Sequence, residues 1–250
     1  MPPEPGPTRS TMTEDYLKVI WKAEEWAVEV DPAAASPGSA PARGITTNEI
    51  AATLGVGAST VSGNLRKLER EGWIDYEPYR RIALTELGRS VAVGMVRRHR
   101  LIETYLVERL GYGWDEVHDE AEVLEHAVSD RLLEAFDVEL GRPTADPHGD
   151  PIPAADGTVT RPVAHTLQEF REGECGFVVR VSDDEPELLR YLGSLDLRVG
   201  AHVRVGERRD YAGSLQVVLT DQHDVPVGSV ELAGPAAASV WASSEPHTHA

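Results

Sequence analysis

The sequence predicts an α+β protein in which two mainly helical parts are followed by a small all-β part. In the first half, apolar residues recur at spacings of three and four, which is typical of amphipathic helices. A stretch rich in Pro and Gly, residues 142–162, follows and indicates a linker. Beyond it, short apolar runs are broken by Gly and Asp, which is typical of strands. The chain therefore predicts several domains.

The composition is that of a globular protein without a disulfide framework. Of the 250 residues, 41% are hydrophobic and 26% are charged. Residues 1–11 are polar and Pro-rich, so we expect them to be disordered and not to act as a signal peptide. The single Cys175 excludes an internal disulfide and a Cys-rich zinc module. No apolar run approaches the ~20 residues of a membrane span, so we expect a cytoplasmic protein with no membrane partner.

Residues 12–84 predict an amphipathic helix followed by a winged helix-turn-helix. The helix covers 12–26, and residues 27–44, rich in Ala, Pro and Ser, predict a flexible insertion. Thr46 or Thr47 can cap a short helix, and a Gly-Val-Gly turn leads to a second helix that ends near Glu71. Two short alternating runs then predict a hairpin. Helix, turn, helix and hairpin in this order are the pattern of a winged helix.

This winged helix predicts binding to double-stranded DNA, although the net charge of −18 taken alone argues against it. Residues 58–81 hold five basic and four acidic side chains, so the acidic excess lies elsewhere. Arg97, Arg98 and Arg100 add basic charge nearby in sequence. Short polar side chains suit base edges, and basic ones suit phosphates. The candidates are Ser59, Thr60, Ser62, Asn64, Arg66, Lys67 and Arg80. The alternative is a winged helix that contacts only proteins.

Residues 85–141 predict a helical domain that ends in an unusually acidic segment, "HDEAEVLEH". On one helix, Glu122, Glu125 and His126 stand at i, i+3 and i+4 and share a face, with His118 one turn earlier. Like charges at this spacing repel each other, and a cation among them would turn repulsion into binding. The segment therefore predicts a metal site, with a solvated acidic helix face as the alternative.

A second motif, "HRLIE", places His99 and Glu103 at i, i+4 on the preceding helix. Two helices joined by a short loop pack antiparallel, so these side chains can come close to His118. After the linker, residues 163–241 predict a small β-barrel interrupted by one short helix, "DEPELLRYLGSL". Residues 242–250 predict a loose tail.

The chain resembles the diphtheria-toxin-repressor family of metal-dependent transcriptional repressors. The resemblance rests on the order and spacing of "TEDYLKVIW", "LGVGASTVSGNLRKLEREG", "RRHRLIE", "VHDEAEVLEHAVSD" and "GDPIP". It implies a winged-helix DNA-binding domain, a helical dimerisation domain that holds the metals, and a C-terminal SH3-like domain. It further implies a homodimer that binds an operator with paired half-sites.

The resemblance also implies two metal sites. The primary site would consist of Asp15, Glu122, Glu125 and His126. The ancillary site would consist of His99, Glu103 and His118, completed by Asp183 or Glu185 from the SH3-like domain.

Two departures from the family bear on the metal. The iron-responsive branch has Met at the position of Asp15 and Cys at that of Glu122, so this chain supplies oxygen in place of sulfur. Carboxylate-rich sites suit Mn(II), and the chain therefore resembles the manganese branch. Lys18 stands where the short manganese regulators have Glu, which argues against their closely spaced second metal. Gly63 replaces a glutamine of the recognition helix, so base contacts cannot simply be carried over.

We therefore expect an Mn(II)-activated repressor of metal-uptake and metal-homeostasis genes, and not an enzyme. An Fe(II)-responsive repressor of the same fold is the alternative, and Zn(II), Co(II) or Ni(II) would substitute in vitro. A distant alternative is a carboxylate-bridged metalloenzyme. It is disfavoured because the chain has no HExxH motif and lacks the two Glu-x-x-His motifs of a four-helix di-metal bundle.

Overall fold

A computed structural model describes residues 9–25, 45–76, 81–221 and 223–244. It divides into two compact units, Met1–Arg97 and Arg98–Ala250, and each unit is described by itself. Most of the N-terminal segment, the 27–44 insertion, Arg80 and residues 245–250 lie outside the described residues. None of the described helices combines the length and the hydropathy that crossing a membrane requires.

The first unit has the predicted order of helices followed by a hairpin. Its elements are α1 (Thr11–Glu25), α2 (Thr47–Thr53), α3 (Ala58–Arg70), β1 (Ile74–Asp75) and β2 (Ala83–Leu84), and α4 (Glu86–Leu110) begins in it. Strands β1 and β2 are antiparallel, with Ile74 opposite Leu84. The predicted cap is confirmed, because Thr46 and Glu49 form a reciprocal capping box at α2. Helix α3 buries Val61, Leu65 and Leu68, as its spacing predicts.

The acidic segment, which the sequence predicts as one helix, is two helices in the second unit. These are α5 (Val117–Leu124) and α6 (Asp130–Glu139). The break has two causes: the Ser129 hydroxyl caps α6, and the Arg98 guanidinium donates to the carbonyls of Glu125 and Val128. The prediction of a continuous face was therefore wrong, because Glu125 and His126 lie in the turn after α5.

The C-terminal part is a six-stranded antiparallel sheet with strand order β3-β8-β4-β5-β6-β7. Its elements are β3 (His165–Thr166), β4 (Cys175–Val181), α7 (Pro186–Ser194), β5 (His202–Arg209), β6 (Ser214–Thr220), β7 (Pro226–Ala233), α8 (Gly234–Ala238) and β8 (Val240–Ser243). Helix α7 confirms the predicted short helix. Strand β8 includes residues 242–243, which the sequence assigns to the tail.

The hydrophobic core of the C-terminal part includes one side chain from the helical part of the second unit. Trp114, from the loop between α4 and α5, is 8% exposed and packs among buried residues such as Leu192 on α7, Val203 on β5 and Val240 on β8. The Arg198 guanidinium carbon lies 5.2 Å from the centre of the Trp114 ring. This packing places the loop between α4 and α5 against α7 and the sheet.

Part of the predicted linker 142–162 is not a free connection but a buried turn. Ala145 and Pro151 form a β-bridge that closes it. Gly149 has φ +90°, and a Cβ there would lie 1.9 Å from the Val179 carbonyl oxygen, so only Gly fits. The His148 carbonyl accepts a hydrogen bond of 2.8 Å from the Val181 N–H. The turn is therefore fixed to β4, which places its side chains beside α4.

Candidate metal centre

Five side chains from α4, α5 and the turn after α5 form a group that we call the helix-face cluster. Its members are His99, His118, Glu122, Glu125 and His126. The His99 Nδ1–H donates to Glu125 Oε2 at 2.6 Å, and His118 Nδ1 lies 3.2 Å from His99 Nε2. Glu122 Oε1 lies 3.6 Å from His118 Nε2, and Glu125 Oε1 lies 3.5 Å from His126 Nε2. These contacts connect the five side chains into one network.

The network joins residues that the resemblance divides between two sites. Donor atoms of His99, His118 and Glu122 lie within 4.8 Å of one another. Ligand atoms bound to one ion at about 2.2 Å are at most about 4.4 Å apart, so small side-chain adjustments would let the group hold an ion. Asp15 lies on α1 of the first unit, and its role as a ligand stays a prediction. The division into a primary and an ancillary site stays a prediction as well.

A second group, which we call the loop cluster, consists of Glu103, Asp146, His148 and Asp183. Donor atoms of Glu103, Asp146 and His148 lie within 4.8 Å of one another, and all three side chains are buried. Asp183 forms a further group of this kind with Glu103 and His118. The sequence prediction missed Asp146 and His148 because they fall in the Pro/Gly-rich stretch. The Asp-Pro-His-Gly-Asp spacing was the available signal.

The loop cluster has two buried polar atoms that lack a hydrogen-bond partner among the described residues, His148 Nδ1 and Glu103 Oε2. His148 Nε2 lies 2.6 Å from the Trp114 carbonyl oxygen. A carbonyl only accepts, so Nε2 carries the hydrogen and, in the neutral ring, Nδ1 keeps a free lone pair. An unsatisfied buried polar atom costs about 1–3 kcal/mol. A cation bound to both atoms would remove that cost, so the residues present fit a metal ion.

The charges in the loop cluster act strongly on each other. Burial, together with the Asp150 carboxylate, raises the pKa of Asp146 to about 7. Burial alone would raise the pKa of Glu103, but the charge of His99 and the hydrogen bonds from His118 and His99 hold this pKa well below its usual range. Burial alone would lower the pKa of His148, but the Asp146 and Glu103 carboxylates raise it above its usual value. The cluster therefore attracts positive charge.

The two candidates from the C-terminal domain differ in position. Asp183 is buried, and its Oδ2 lies 3.9 Å from His118 Nδ1. Glu185 is exposed just before α7 and belongs to none of the metal-binding groups found among the described residues. The geometry thus favours Asp183 over Glu185 as the ligand that the C-terminal domain would supply.

The candidate DNA-binding residues of α3 fall into two classes. Ser59, Thr60 and Arg66 are exposed, while the other three make contacts within the unit. Those contacts are Ser62 Oγ to the Ala58 carbonyl at 2.9 Å, Asn64 Nδ2 to Tyr16 Oη at 3.0 Å, and Lys67 Nζ to Glu71 Oε1 at 3.9 Å. Contact with DNA stays a prediction for all of them, and Arg80 lies outside the described residues.

Two arginines that we expected to add basic charge for DNA are used inside the second unit. Arg98 binds the turn after α5 and forms an ion pair of 2.6 Å with Asp130. Arg100 is 2% exposed and donates to the Pro151 carbonyl at 2.8 Å. That expectation was wrong for these two residues, because Arg100 is buried and the partly buried Arg98 is paired within the unit.

A helix-turn-helix with a hairpin, together with clusters of His and carboxylate side chains, defines a DNA-binding protein that responds to a metal. Residues 42–82 match the family described as "Iron dependent repressor, N-terminal DNA binding domain". Residues 85–154 match "Iron dependent repressor, metal binding and dimerisation domain". Residues 165–230 match "FeoA domain". The three matches follow the order of parts that the sequence predicts.

Similar proteins extend this result. A structure described as a manganese-dependent transcriptional repressor in complex with manganese is 46% identical, with 93% of this chain and all of that chain covered and a TM-score of 0.81. A structure of ScaR with bound Cd²⁺ is 32% identical, with 93% and 99% covered and a TM-score of 0.72. The iron-dependent repressor IdeR of Mycobacterium tuberculosis is 36% identical over 141 residues, which is 56% of this chain and 55% of that protein.

The chain belongs to the diphtheria-toxin-repressor family of metal-dependent, DNA-binding transcriptional repressors, with an SH3-like FeoA domain at its C-terminal end. The family is one of repressors and not of enzymes, which confirms that expectation. The match to IdeR spans about half the length of that curated relative.

Proposed function

We propose that this protein is a repressor that Mn(II) activates for DNA binding and that controls metal-uptake and metal-homeostasis genes. The observation that carries the proposal is the donor set of the two clusters, which offers carboxylate and imidazole groups and no sulfur among the described residues. Carboxylate oxygen suits Mn(II). A bound ion would supply positive charge that holds the acidic side chains together.

The first centre that we propose lies in the helix-face cluster, with Glu122, Glu125 and His126 as ligands. The His99 side chain supports it, since its N–H donates to Glu125 and so orients that carboxylate. The resemblance implies Asp15 of the first unit as a further ligand. An Asp15→Asn variant tests that implication through the number of Mn(II) ions bound.

The second centre that we propose is the loop cluster. Glu103 and His148 each offer a buried atom without a hydrogen-bond partner among the described residues, and Asp146 and Asp183 add carboxylates. His118 stands between the two centres, because its Nδ1 lies 3.2 Å from Glu103 Oε1 and its Nε2 faces Glu122. We propose that this buried centre stabilises the junction of the helical part and the sheet, while the more exposed first centre responds to changes in metal concentration.

An Fe(II)-responsive repressor is the second candidate, and one observation favours it. The matching family domains are described as those of iron-dependent repressors, and imidazole ligands also suit iron. Metal identity within this fold depends on supply as well as on ligands, so Zn(II), Co(II) or Ni(II) would also bind in vitro. The related structure with Cd²⁺ fits such tolerance.

Titration with separate metals distinguishes the two candidates. A duplex selected from a random-sequence pool by the metal-loaded protein serves as the DNA probe. Binding is measured anaerobically against free Mn(II), Fe(II) and Zn(II). We expect half-maximal activation by Mn(II) within the range of a bacterial cytoplasm, and none by Fe(II) in its own cellular range. Activation by Fe(II) alone in that range would replace the manganese proposal with the iron one.

The partners that we propose are double-stranded DNA with paired half-sites and a second copy of this chain. The matched region 85–154 is described as a dimerisation domain. In it, Val123 is 71% exposed and Leu132 is 46% exposed, which are apolar side chains that a partner subunit could cover. A repressor of this kind acts where the chromosome lies, so we propose the cytoplasm as its location.

Substitutions on α3 test the DNA-binding half of the proposal. Arg66→Ala should weaken binding to all duplexes and lower the salt dependence by about one phosphate contact. Thr60→Ala should instead alter discrimination between related duplexes. Arg190→Ala, an exposed arginine of the second unit, is the matched control and should change neither property. If the α3 variants behave like this control, α3 does not read DNA.

A further inference from the structure

The loop cluster has a buried arginine at its edge. Arg100 stands on α4 between His99 and Glu103 and is 2% exposed. Its Nε lies 3.6 Å from Asp146 Oδ2, and a terminal nitrogen lies 3.6 Å from Asp150 Oδ1. A positive charge is therefore fixed beside a carboxylate that we propose as a metal ligand.

The two oxygens of Asp146 have different partners. Oδ1 accepts the backbone N–H groups of His148 and Asp150, each at 2.9 Å. Both bonds hold the turn together and occupy that oxygen. Neither of these bonds involves Oδ2, so Oδ2 is the oxygen that would bind a metal ion. It is also the oxygen that faces Arg100. Arg100 and a metal ion would thus compete for the same oxygen.

Asp150 offers Arg100 another carboxylate. It is 1% exposed, and its Oδ1 also accepts Arg180 Nε at 2.7 Å. The Arg180 guanidinium carbon lies 4.2 Å from the centre of the Trp241 ring on β8, which fixes it from the other side. Asp150 is therefore shared between two buried guanidinium groups, one from α4 and one from the sheet.

Arg100 is shared between two carboxylates of this buried region, Asp146 and Asp150. Arg180 pairs with Asp150 as well. Without the Asp150 charge, Asp146 would be the carboxylate left to balance Arg100. Buried charges that lose their partner interact strongly with whatever charge remains nearby.

We propose that Asp150 is a positioning residue that keeps Arg100 from neutralising Asp146, so that Asp146 stays available to a metal ion in the loop cluster. This inference rests on the second centre of the proposed function. Asp150 itself is not a ligand in this proposal. Its contribution is the charge that it places against Arg100 and Arg180.

The test measures Mn(II) binding by the loss of the electron paramagnetic resonance signal of free Mn(II), with the full chain and no DNA. Asp150→Asn should lower the affinity of the loop cluster at least tenfold and leave the helix-face cluster unchanged. Mn(II) bound at the helix-face cluster also shows that the variant is folded. The double variant Arg100→Gln with Asp150→Asn removes both charges and should recover most of the lost affinity. Asp115→Asn, which breaks the exposed pair with Arg190, is the control for net charge.

Each outcome of this test either supports or overturns the inference. Recovery in the double variant supports competition by Arg100, because a purely structural role of Asp150 would leave that variant as weak as Asp150→Asn or weaker. If Asp150→Asn binds the second Mn(II) ion with the same affinity as the wild type, this inference is overturned and the proposed second centre is not. If the single substitution His148→Ala in the otherwise unchanged chain removes no bound Mn(II), the second centre itself is overturned, and this inference with it. Unfolding of both Asp150 variants would also count against the inference, since the charge-balanced one should fold.

Discussion

The helix-face cluster and the loop cluster use the same kinds of side chain but differ in exposure. In the helix-face cluster, the side chains of His118 and Glu122 are 38% and 39% exposed, whereas those of His99 and Glu125 are 5% and 0% exposed. In the loop cluster, Glu103 and His148 are fully buried and Asp146 nearly so. His118 and Glu122 give the first cluster an exposed side, whereas the second is enclosed by the turn 145–152 and by the sheet. Exchange with cellular metal should therefore be faster at the helix-face cluster.

In our proposal, this difference separates a site that senses metal from a site that stabilises the fold. A sensor must lose its ion when the cellular concentration falls, and partial exposure favours such release. A buried site in which two polar atoms lack hydrogen-bond partners gains more from its ion, because binding also stabilises the folded state. The same chemistry can thus serve regulation at one position and stability at the other.

The largest expected effect comes from substitutions in the helix-face cluster. Glu125→Ala or His126→Ala should lower metal-activated DNA binding by more than about 100-fold, because loss of a direct ligand exceeds the 10–100-fold typical of outer partners. Glu120→Ala, an exposed acid on α5, is the matched control. DNA binding is measured with and without Mn(II) by fluorescence anisotropy. Equal, slight effects of all three substitutions would mean that the acidic segment is only solvated.

The next effect concerns the loop cluster. His148→Ala should remove one bound Mn(II) and most of the rise in unfolding temperature that saturating Mn(II) produces, yet leave activation of DNA binding largely intact. Saturation at 100 times Kd stabilises a site by about 2.7 kcal/mol, which corresponds to several degrees for a unit of this size. His165→Ala, an exposed histidine on β3, should behave as wild type. Loss of activation in His148→Ala would show that the two clusters do not divide their roles.

The sequence predicts the helix-face cluster because helical spacing converts directly into a shared face. Glu122, Glu125 and His126 were identified in this way, although the chain breaks after α5. The break escaped prediction because it depends on Arg98, a residue of another helix whose contacts with the turn only the fold creates. Periodicity carries no information about such long-range partners.

The loop cluster escaped prediction for a different reason. Pro and Gly indicate turns and linkers, and a turn is expected at the surface. Here Gly149 lets the turn approach β4 closely, and Arg100 and Arg180 hold it from two sides. Burial of Asp146 and His148 therefore follows from tertiary packing and not from local sequence. The overall order of domains was easier to predict, because capping, the hairpin and the strands are local signals in the sequence.

The smallest expected effect concerns metal preference at the helix-face cluster. The resemblance implies that Glu122 offers oxygen at a position where the iron-responsive branch has Cys, and softer ligands favour later metals. Glu122→Cys should therefore shift the ratio of Mn(II) to Fe(II) affinity on the order of tenfold towards Fe(II), equivalent to about 1.4 kcal/mol. Adding Asp15→Met should increase the shift.

Glu120→Cys adds a thiol to an exposed position of the same helix and controls for thiol chemistry. The assay is anaerobic DNA binding against free metal concentration, with the oligomeric state followed by sedimentation. The loop cluster should keep its own preference, because none of its ligands is altered. An unchanged preference in a folded Glu122→Cys protein would show that exposure of the cluster, and not the hardness of its ligands, sets the response to metal.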